Sequence, residues 1–280
     1  MTLGIFAKTF ARPTVEEVFD RVAHHGLRCV QFNFACAGLP SMPERINLEM
    51  LGHIRRAATE RKIAIAALSG TFNMIHPDSL QPREGIRRLR VLASACGTLG
   101  APIITLCTGT RDPENMWRRH PANNLPDAWH DLVGAMSQAL VIAEEFNLTL
   151  GIEPEAGNVV DSATKARRLL DDMKSPRLKI ILDGANLFQA DELPRMREIL
   201  DEAFELLGRD IALVHAKEMG GDGHAGGLAL GTGVLDWDRY FALLEEANYQ
   251  GPLVMHGFEE RDVDASVSFL HQLLPTTGCA

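Results

Sequence analysis

Leu148-Thr-Leu-Gly-Ile-Glu153-Pro-Glu155 and Leu178-Lys-Ile-Ile-Leu-Asp183-Gly-Ala-Asn186 are two short runs of apolar and β-branched residues, each ending on a carboxylate. The segment between them has helical periodicity, so the pair reads as strand, helix, strand. The same rhythm extends outward in both directions. Apolar runs recur at Leu3–Phe6, Cys29–Phe34, Ile63–Leu68, Pro102–Cys107, Leu148–Ile152, Leu178–Leu182, Ile211–Val214 and Pro252–Met255, eight in all. After the first run, Thr14 and Glu17 have capping-box spacing, Val15, Val18, Phe19 and Val22 share a face, and Gly26 can end the helix. Leu48, Leu51 and Ile54 predict a second apolar face, and Ile86, Leu89 and Leu92 a third.

Regular βα alternation predicts a parallel sheet. Eight units in 280 residues have the size of a closed (β/α)8 TIM barrel, taken as one domain over residues 1–280. A doubly wound open sheet is the competing architecture. The stretch from Cys107 to Pro126 exceeds an ordinary connection and reads as a lid.

Composition narrows the function classes. Lys and Arg number 28 against 37 Asp and Glu, a net charge of −9, the wrong sign for neutralising a phosphate backbone. Nucleic acid is therefore excluded as a partner, and with no run of 18 apolar residues so is the membrane. The five cysteines, Cys29, Cys36, Cys96, Cys107 and Cys279, show neither zinc-knuckle nor disulfide spacing, which points to a reducing cytoplasm. Self-association into a homo-oligomer stays open.

Strand parity selects the candidate site. Side chains alternate along a strand, so Glu153, Asp183, His215 and His256 share a face with Gly151, Ile181, Leu213 and Val254. All four would then point inward at the C-terminal mouth, where this fold places its chemistry. Any one of them alone is more often a helix cap or a loop ion pair. Four converging on one rim would be costly without a cation or full pairing. Two carboxylates and two imidazoles suit one divalent ion, with Mn²⁺ the first choice and Zn²⁺, Fe²⁺, Co²⁺ or Mg²⁺ the alternatives, better than Ca²⁺.

The segments around Glu153, Asp183 and His215, with Gly231-Thr-Gly-Val-Leu-Asp-Trp237 and Tyr249-Gln-Gly-Pro-Leu-Val254, resemble the xylose-isomerase-like TIM-barrel superfamily of sugar isomerases, epimerases and dehydratases. The resemblance spans nearly the whole chain and is specific for the superfamily, not for a substrate. It implies Glu153, Asp183 and His215 as metal ligands, with Glu153 also the base that forms an enediolate from a keto sugar, sugar acid, cyclitol or sugar phosphate. The superfamily's fourth ligand is a glutamate where this chain has His256. Imidazole can still bind a metal or carry a proton. A metal-dependent lyase or dehydratase, and a barrel that binds sugar without turnover, are the alternatives.

Further polar residues are candidates around this set. Lys217 is two residues beyond His215 and so on its side, suited to holding a substrate oxygen, or else paired with Glu155 or Glu218. Glu155, Asn186, His224 and His76 would touch substrate. Arg118, in a cluster with Arg111, Arg119 and His120, would clamp an anionic substrate group, the alternative being pairing with surface carboxylates. Trp117 and Trp129 read as packing residues as readily as stacking platforms. Asp222-Gly-His224 resembles a zinc motif of apurinic endonucleases of this fold, but Cys107, Asn186 and His256 stand where those enzymes carry ligands, and the charge argues against DNA.

Overall fold

In a computed structural model that describes residues 1–274, the chain is a closed barrel of eight parallel strands in sequential order. Cys279 lies outside the described residues. The strands are β1 (Thr2–Phe6), β2 (Cys29–Phe32), β3 (Ala64–Ser69), β4 (Ile103–Leu106), β5 (Thr149–Ile152), β6 (Leu178–Asp183), β7 (Ile211–Ala216) and β8 (Pro252–Met255). The helices are α1 (Val15–His24), α2 (Leu48–Glu60), α3 (Leu80–Leu99), α4 (Pro126–Glu145), α5 (Ala163–Met173), α6 (Met196–Leu207), α7 (Trp237–Glu246) and α8 (Val263–Leu273). Pairing of Gly4 with Val254 and of Ile5 with Met255 closes the sheet, which excludes the open architecture.

Local signals act as their chemistry dictates. Thr14 caps α1 by accepting the Glu17 N–H at 3.3 Å, and Gly26 turns the chain with φ 74°. Leu51 and Ile54 bury the inner face of α2. Leu48 does not join them: as the first residue of α2, it lies before the helix reaches the barrel and is 82% exposed.

Strand alternation divides the core in two. Ile152, Ile180, Leu182, Val214 and Met255 pack outward under the helices, while Cys29, Ala67, Ile103, Ile181, Leu213 and Val254 fill the barrel interior. At Gly151 a Cβ would stand 2.3 Å from Cδ1 of Ile181, so any larger residue must displace that buried side chain. Apolar side chains thus plug the lower barrel, and the next inward position on several strands becomes the floor of the mouth.

The turn before α7 hangs on one carboxylate. Glu218, fully buried just after β7, accepts from the backbone N–H of Met219 (2.9 Å), Gly231 (2.6 Å) and Leu235 (3.2 Å) and from Nε1 of Trp237 (2.9 Å). The residues from Gly231 to Trp237 are therefore wrapped around a single side chain. Glu218→Ala should strand these donors and destabilise the protein by about 3 kcal/mol, visible as a fall in melting temperature of roughly 6–12 °C. An unchanged melting temperature would show that water replaces the carboxylate at no cost.

Candidate metal centre

Glu153, Asp183, His215 and His256 each offer a ligand atom, and these atoms all lie within 4.8 Å of one another. Consecutive strands deliver them: Asp183 closes β6, His215 lies inside β7, and Glu153 and His256 follow β5 and β8 by one residue. Parallel strands in register bring their ends to one rim, so residues 30 to 41 apart in sequence become neighbours in space. The hydrogen bonds Glu153 N–H to Leu106 O and His256 N–H to Ala216 O, both 3.0 Å, hold the two flanking residues on the sheet.

The orientation of His215 is the decisive detail. Its Nε2 lies 2.8 Å from Oε1 of Gln31. The Gln31 amide in turn donates from Nε2 to Oγ of Ser69 and Oγ1 of Thr105, each at 3.2 Å. With the ring proton assigned to Nε2, the Nδ1 lone pair faces two carboxylates, 3.4 Å from Oε2 of Glu153 and 3.9 Å from Oδ2 of Asp183. Nδ1 is buried and has no hydrogen-bond partner. The His215 lone pair and two carboxylates converge at the floor of the mouth, and a divalent cation would accept all three. The donor set therefore fits a metal, with Gln31 as the group that orients its imidazole ligand.

Asp183 is fully buried. Its Oδ1 accepts the Ala185 N–H at 3.0 Å, while Oδ2 meets His256 Nε2 at 3.0 Å and Lys217 Nζ at 3.2 Å. Burial raises the Asp183 carboxyl, but the Lys217 ammonium and the His256 hydrogen bond outweigh it and hold the group well below its ordinary value. Burial also raises Glu153; the charge and hydrogen bond that His215 offers when protonated, with Lys217 behind it, outweigh that effect, and Glu153 is lowered. His256 is lowered by burial and by the neighbouring His215 and Lys217, which favours the neutral imidazole that can ligate. Glu155 is pushed well above its ordinary value by burial and by the Glu153 charge beside it.

Lys217 is held in a slot between two glycines. A Cβ on Gly257 would stand 2.7 Å from the Lys217 Cδ, and both Gly257 and Gly226 have φ in the left-handed region, at 81° and 93°. Burial lowers the Lys217 ammonium, and Asp183, Glu153 and Glu155 together outweigh it and raise it. Its partner is therefore Asp183, not Glu155 or Glu218. Lys217 also donates to Oδ1 of Asn186 at 2.5 Å, and Nδ2 of Asn186 donates to Oε1 of Glu153 at 2.5 Å. Asn186, expected to meet substrate, is thus committed at both ends of its amide to orienting Glu153.

The cavity above this cluster measures about 600 Å³ and its lining includes Glu153, Glu155, Asn186, His215, Lys217, His224 and His256. His76 and Arg118 are not among the described residues that line it. His76 ties its own loop together: Nδ1 accepts the Asp78 N–H at 3.0 Å and Nε2 lies 3.1 Å from the Pro113 carbonyl. Arg118 is turned onto Asp112 and Glu114, and Arg111 onto Asp131 at 2.5 Å. Nearby carboxylates satisfy these arginines more cheaply than an open cavity does, and neither of them lines the cavity. The expected lid is a packed strap, in which Thr108, Thr110, Asp112 and Asn123 are themselves buried. Cys107, buried and with its thiol pushed well up by that burial, is no nucleophile. Asp222 and His224 stand outside the ligand cluster.

Gln31, Ser69 and Thr105 were not singled out by the sequence. Each is an inward-facing polar residue two positions after an inward apolar one, Cys29, Ala67 and Ile103. That repeated step from apolar to polar on β2, β3 and β4 is the signal that could have found them.

The family model described as xylose isomerase-like TIM barrel matches residues 19–273. A ketose 3-epimerase from Arthrobacter globiformis is 32% identical over 111 residues, which is 40% of this chain and 34% of that protein. The chain therefore matches about a third of that relative's length. Two solved structures share the fold across nearly their whole lengths. The 3-keto-D-glucoside 4-epimerase from E. coli superposes with a TM-score of 0.74 at 18% identity, covering 97% of this chain and 99% of that one. The IOLI protein with a bound zinc atom gives 0.77 at 14% identity, covering 100% of both. No helix among the described residues is long and apolar enough to cross a membrane.

Proposed function

The chain belongs to the xylose isomerase-like TIM-barrel family, and from that premise we propose that it is a divalent-metal-dependent isomerase or epimerase of a ketose. The observation that carries the reading is the unpartnered Nδ1 of His215, buried between the carboxylates of Glu153 and Asp183 at the barrel mouth. Glu153, Asp183, His215 and His256 would hold the ion, with Mn²⁺ the first choice among small divalent metals. When bound it would polarise a substrate carbonyl and stabilise negative charge on the neighbouring oxygens.

The chain's own residues supply the rest. Glu153 takes the proton from the carbon beside the carbonyl; its Oε1 is engaged by Asn186, which leaves Oε2 to face the mouth. Lys217 fixes the Asn186 amide and thereby the rotation of the base. His256, one residue past the last strand and lowered toward the neutral form, is either the fourth ligand or the second proton carrier, since a ring nitrogen bound to the ion cannot also take a proton. Glu155, raised well above its ordinary value by burial and by Glu153, can when protonated donate a hydrogen bond to a sugar hydroxyl without adding charge. The ketose itself is the partner this chemistry requires, and the whole barrel of one domain serves as its scaffold.

Incubating Mn²⁺-loaded protein with a panel of ketoses in D₂O, followed by proton NMR, tests the reading. Loss of the signal next to the carbonyl, with growth of an epimer or aldose, is the expected result. Exchange with loss of water would convert the assignment to a dehydratase. No exchange in any ketose, with metal bound, would leave a sugar-binding barrel and overturn it.

A further inference from the structure

A hexose of twelve heavy atoms occupies on the order of 200 Å³ at the packing density of organic solids, and the cavity holds about 600 Å³. Above Glu153, Glu155 and Asn186, the lining after β4, β5 and β6 includes Met116, Trp117, Ala156, Gly157 and Phe188. Lys8 and Ser41 line the cavity from the other side, after β1 and β2. The ligand cluster occupies the floor between them.

Trp117 is 51% exposed, yet its backbone is held from several directions. The buried Asp112 carboxylate accepts the N–H groups of Glu114 and Asn115, both at 2.9 Å, and binds the Arg118 guanidinium. Asn115 Oδ1 accepts the Trp117 N–H at 3.0 Å, and Thr110 Oγ1 donates to the Arg118 carbonyl at 2.9 Å. On the far side, the Trp117 carbonyl packs so closely on Gly157 that a Cβ there would stand 2.3 Å from it. A half-exposed indole on a rigid support is a pre-organised surface for a flat apolar ligand face. It is also an uncharged wall apart from Glu155: the strap's arginines are consumed by Asp112, Glu114 and Asp131, and Arg119 bonds Gln189 beside Asp161.

We propose that the outer part of the cavity is a second subsite, in which an uncharged pyranose ring joined to the reacting ketose stacks on Trp117. The substrate is then a glycosyl-ketose and not a sugar phosphate. For the reacting ring this rests on the reading given under Proposed function; the subsite itself is read by binding. In this view Arg118 is a positioning residue, acting through Asp112 on the indole.

Titration of the Mn²⁺-loaded protein with D-fructose, fructose 6-phosphate, isomaltulose and leucrose, the last two carrying glucosyl groups on fructose O6 and O5, tests the subsite by calorimetry. The better of the two disaccharides should bind about tenfold more tightly than fructose, and the phosphate no more tightly than fructose. In Trp117→Ala the ratio of disaccharide to fructose affinity should collapse to about one, with an unchanged melting temperature reporting an intact fold. Equal affinities in the parent, no measurable binding of any sugar, preference for the phosphate, or a ratio that survives Trp117→Ala would each overturn the proposal. Deuterium exchange in the same samples separates the two readings. Tight disaccharide binding without exchange would fail the epimerase assignment and leave the subsite standing; exchange with no disaccharide preference would do the reverse.

Discussion

Glu153→Gln should lower the rate of solvent deuterium exchange by about 10²–10⁴-fold, the range lost when a positioned general base is removed. The fold should survive, for a geometric reason. A glutamine at this position can present its oxygen to Nδ2 of Asn186, as the carboxylate now does at 2.5 Å, and aim its amide N–H toward the unpartnered Nδ1 of His215, 3.4 Å from the present Oε2. It also removes one of two negative charges at the cluster, so the metal-free variant should melt no lower than the parent. Near-parental exchange in Glu153→Gln would remove this residue from the base role and leave it a ligand alone. A large drop in melting temperature would contradict the hydrogen-bond pattern assigned to the site.

Asp183→Ala should cost both metal and stability. The carboxylate is fully buried and is shared by Ala185 N–H, His256 and Lys217. Its loss leaves a buried ammonium with the Asn186 carbonyl oxygen as its remaining close partner. Stripping one partner from a buried pair costs about 3–5 kcal/mol, which in a chain of this size lowers the melting temperature by roughly 6–20 °C. Metal analysis should find about one ion per parent chain and none in the variant, as expected when a four-ligand site loses a member. Gln31→Ala gives an independent measure, because it touches no ligand atom of the cluster except through His215; its metal affinity should fall by about 10–100-fold. A parent protein that binds no divalent ion, or a folded Asp183→Ala that binds it at parental affinity, would sink the centre.

How much of the site could be read in advance depends on the range of the interactions involved. Glu153, Asp183, His215 and His256 were legible because each stands at or beside a strand end, and side-chain direction along a strand is a local property with a period of two residues. The division between Ile181, Leu213 and Val254 inside the barrel and Leu182, Val214 and Met255 outside it follows from the same parity. Gln31 was not legible by that reasoning. It is 184 residues from His215 in sequence, and the bond between them exists because closure of the sheet sets β2 across from β7.

The arginines of the strap mark the opposite limit. Arg111, Arg118 and Arg119 looked like an anion clamp because like charges close in sequence seem to want a common partner. In the folded chain Asp112, Glu114 and Asp131 answer Arg111 and Arg118 one by one. An ion pair is chosen by distance and burial after the backbone is placed: Arg118 takes carboxylates four and six residues away, Arg111 one twenty residues away. Asn186 shows the same thing at closer range. Its position after β6 put it at the mouth, but whether its amide met a substrate or Glu153 and Lys217 was a matter of a few ångströms.

The sequence by itself determined the eight βα units, the inward face of each strand and the carboxylate and imidazole residues carried to one rim, because apolar periodicity and strand parity are short-range effects that every window of the chain expresses. Only the tertiary structure decided that the sheet closes, that Gln31 turns the Nδ1 of His215 toward two carboxylates, that Lys217 reaches Asp183 through a slot of glycines, and that Trp117 is held open on the cavity wall. These contacts join residues far apart along the chain, and their geometry exists only once the barrel has fixed all the strands at once.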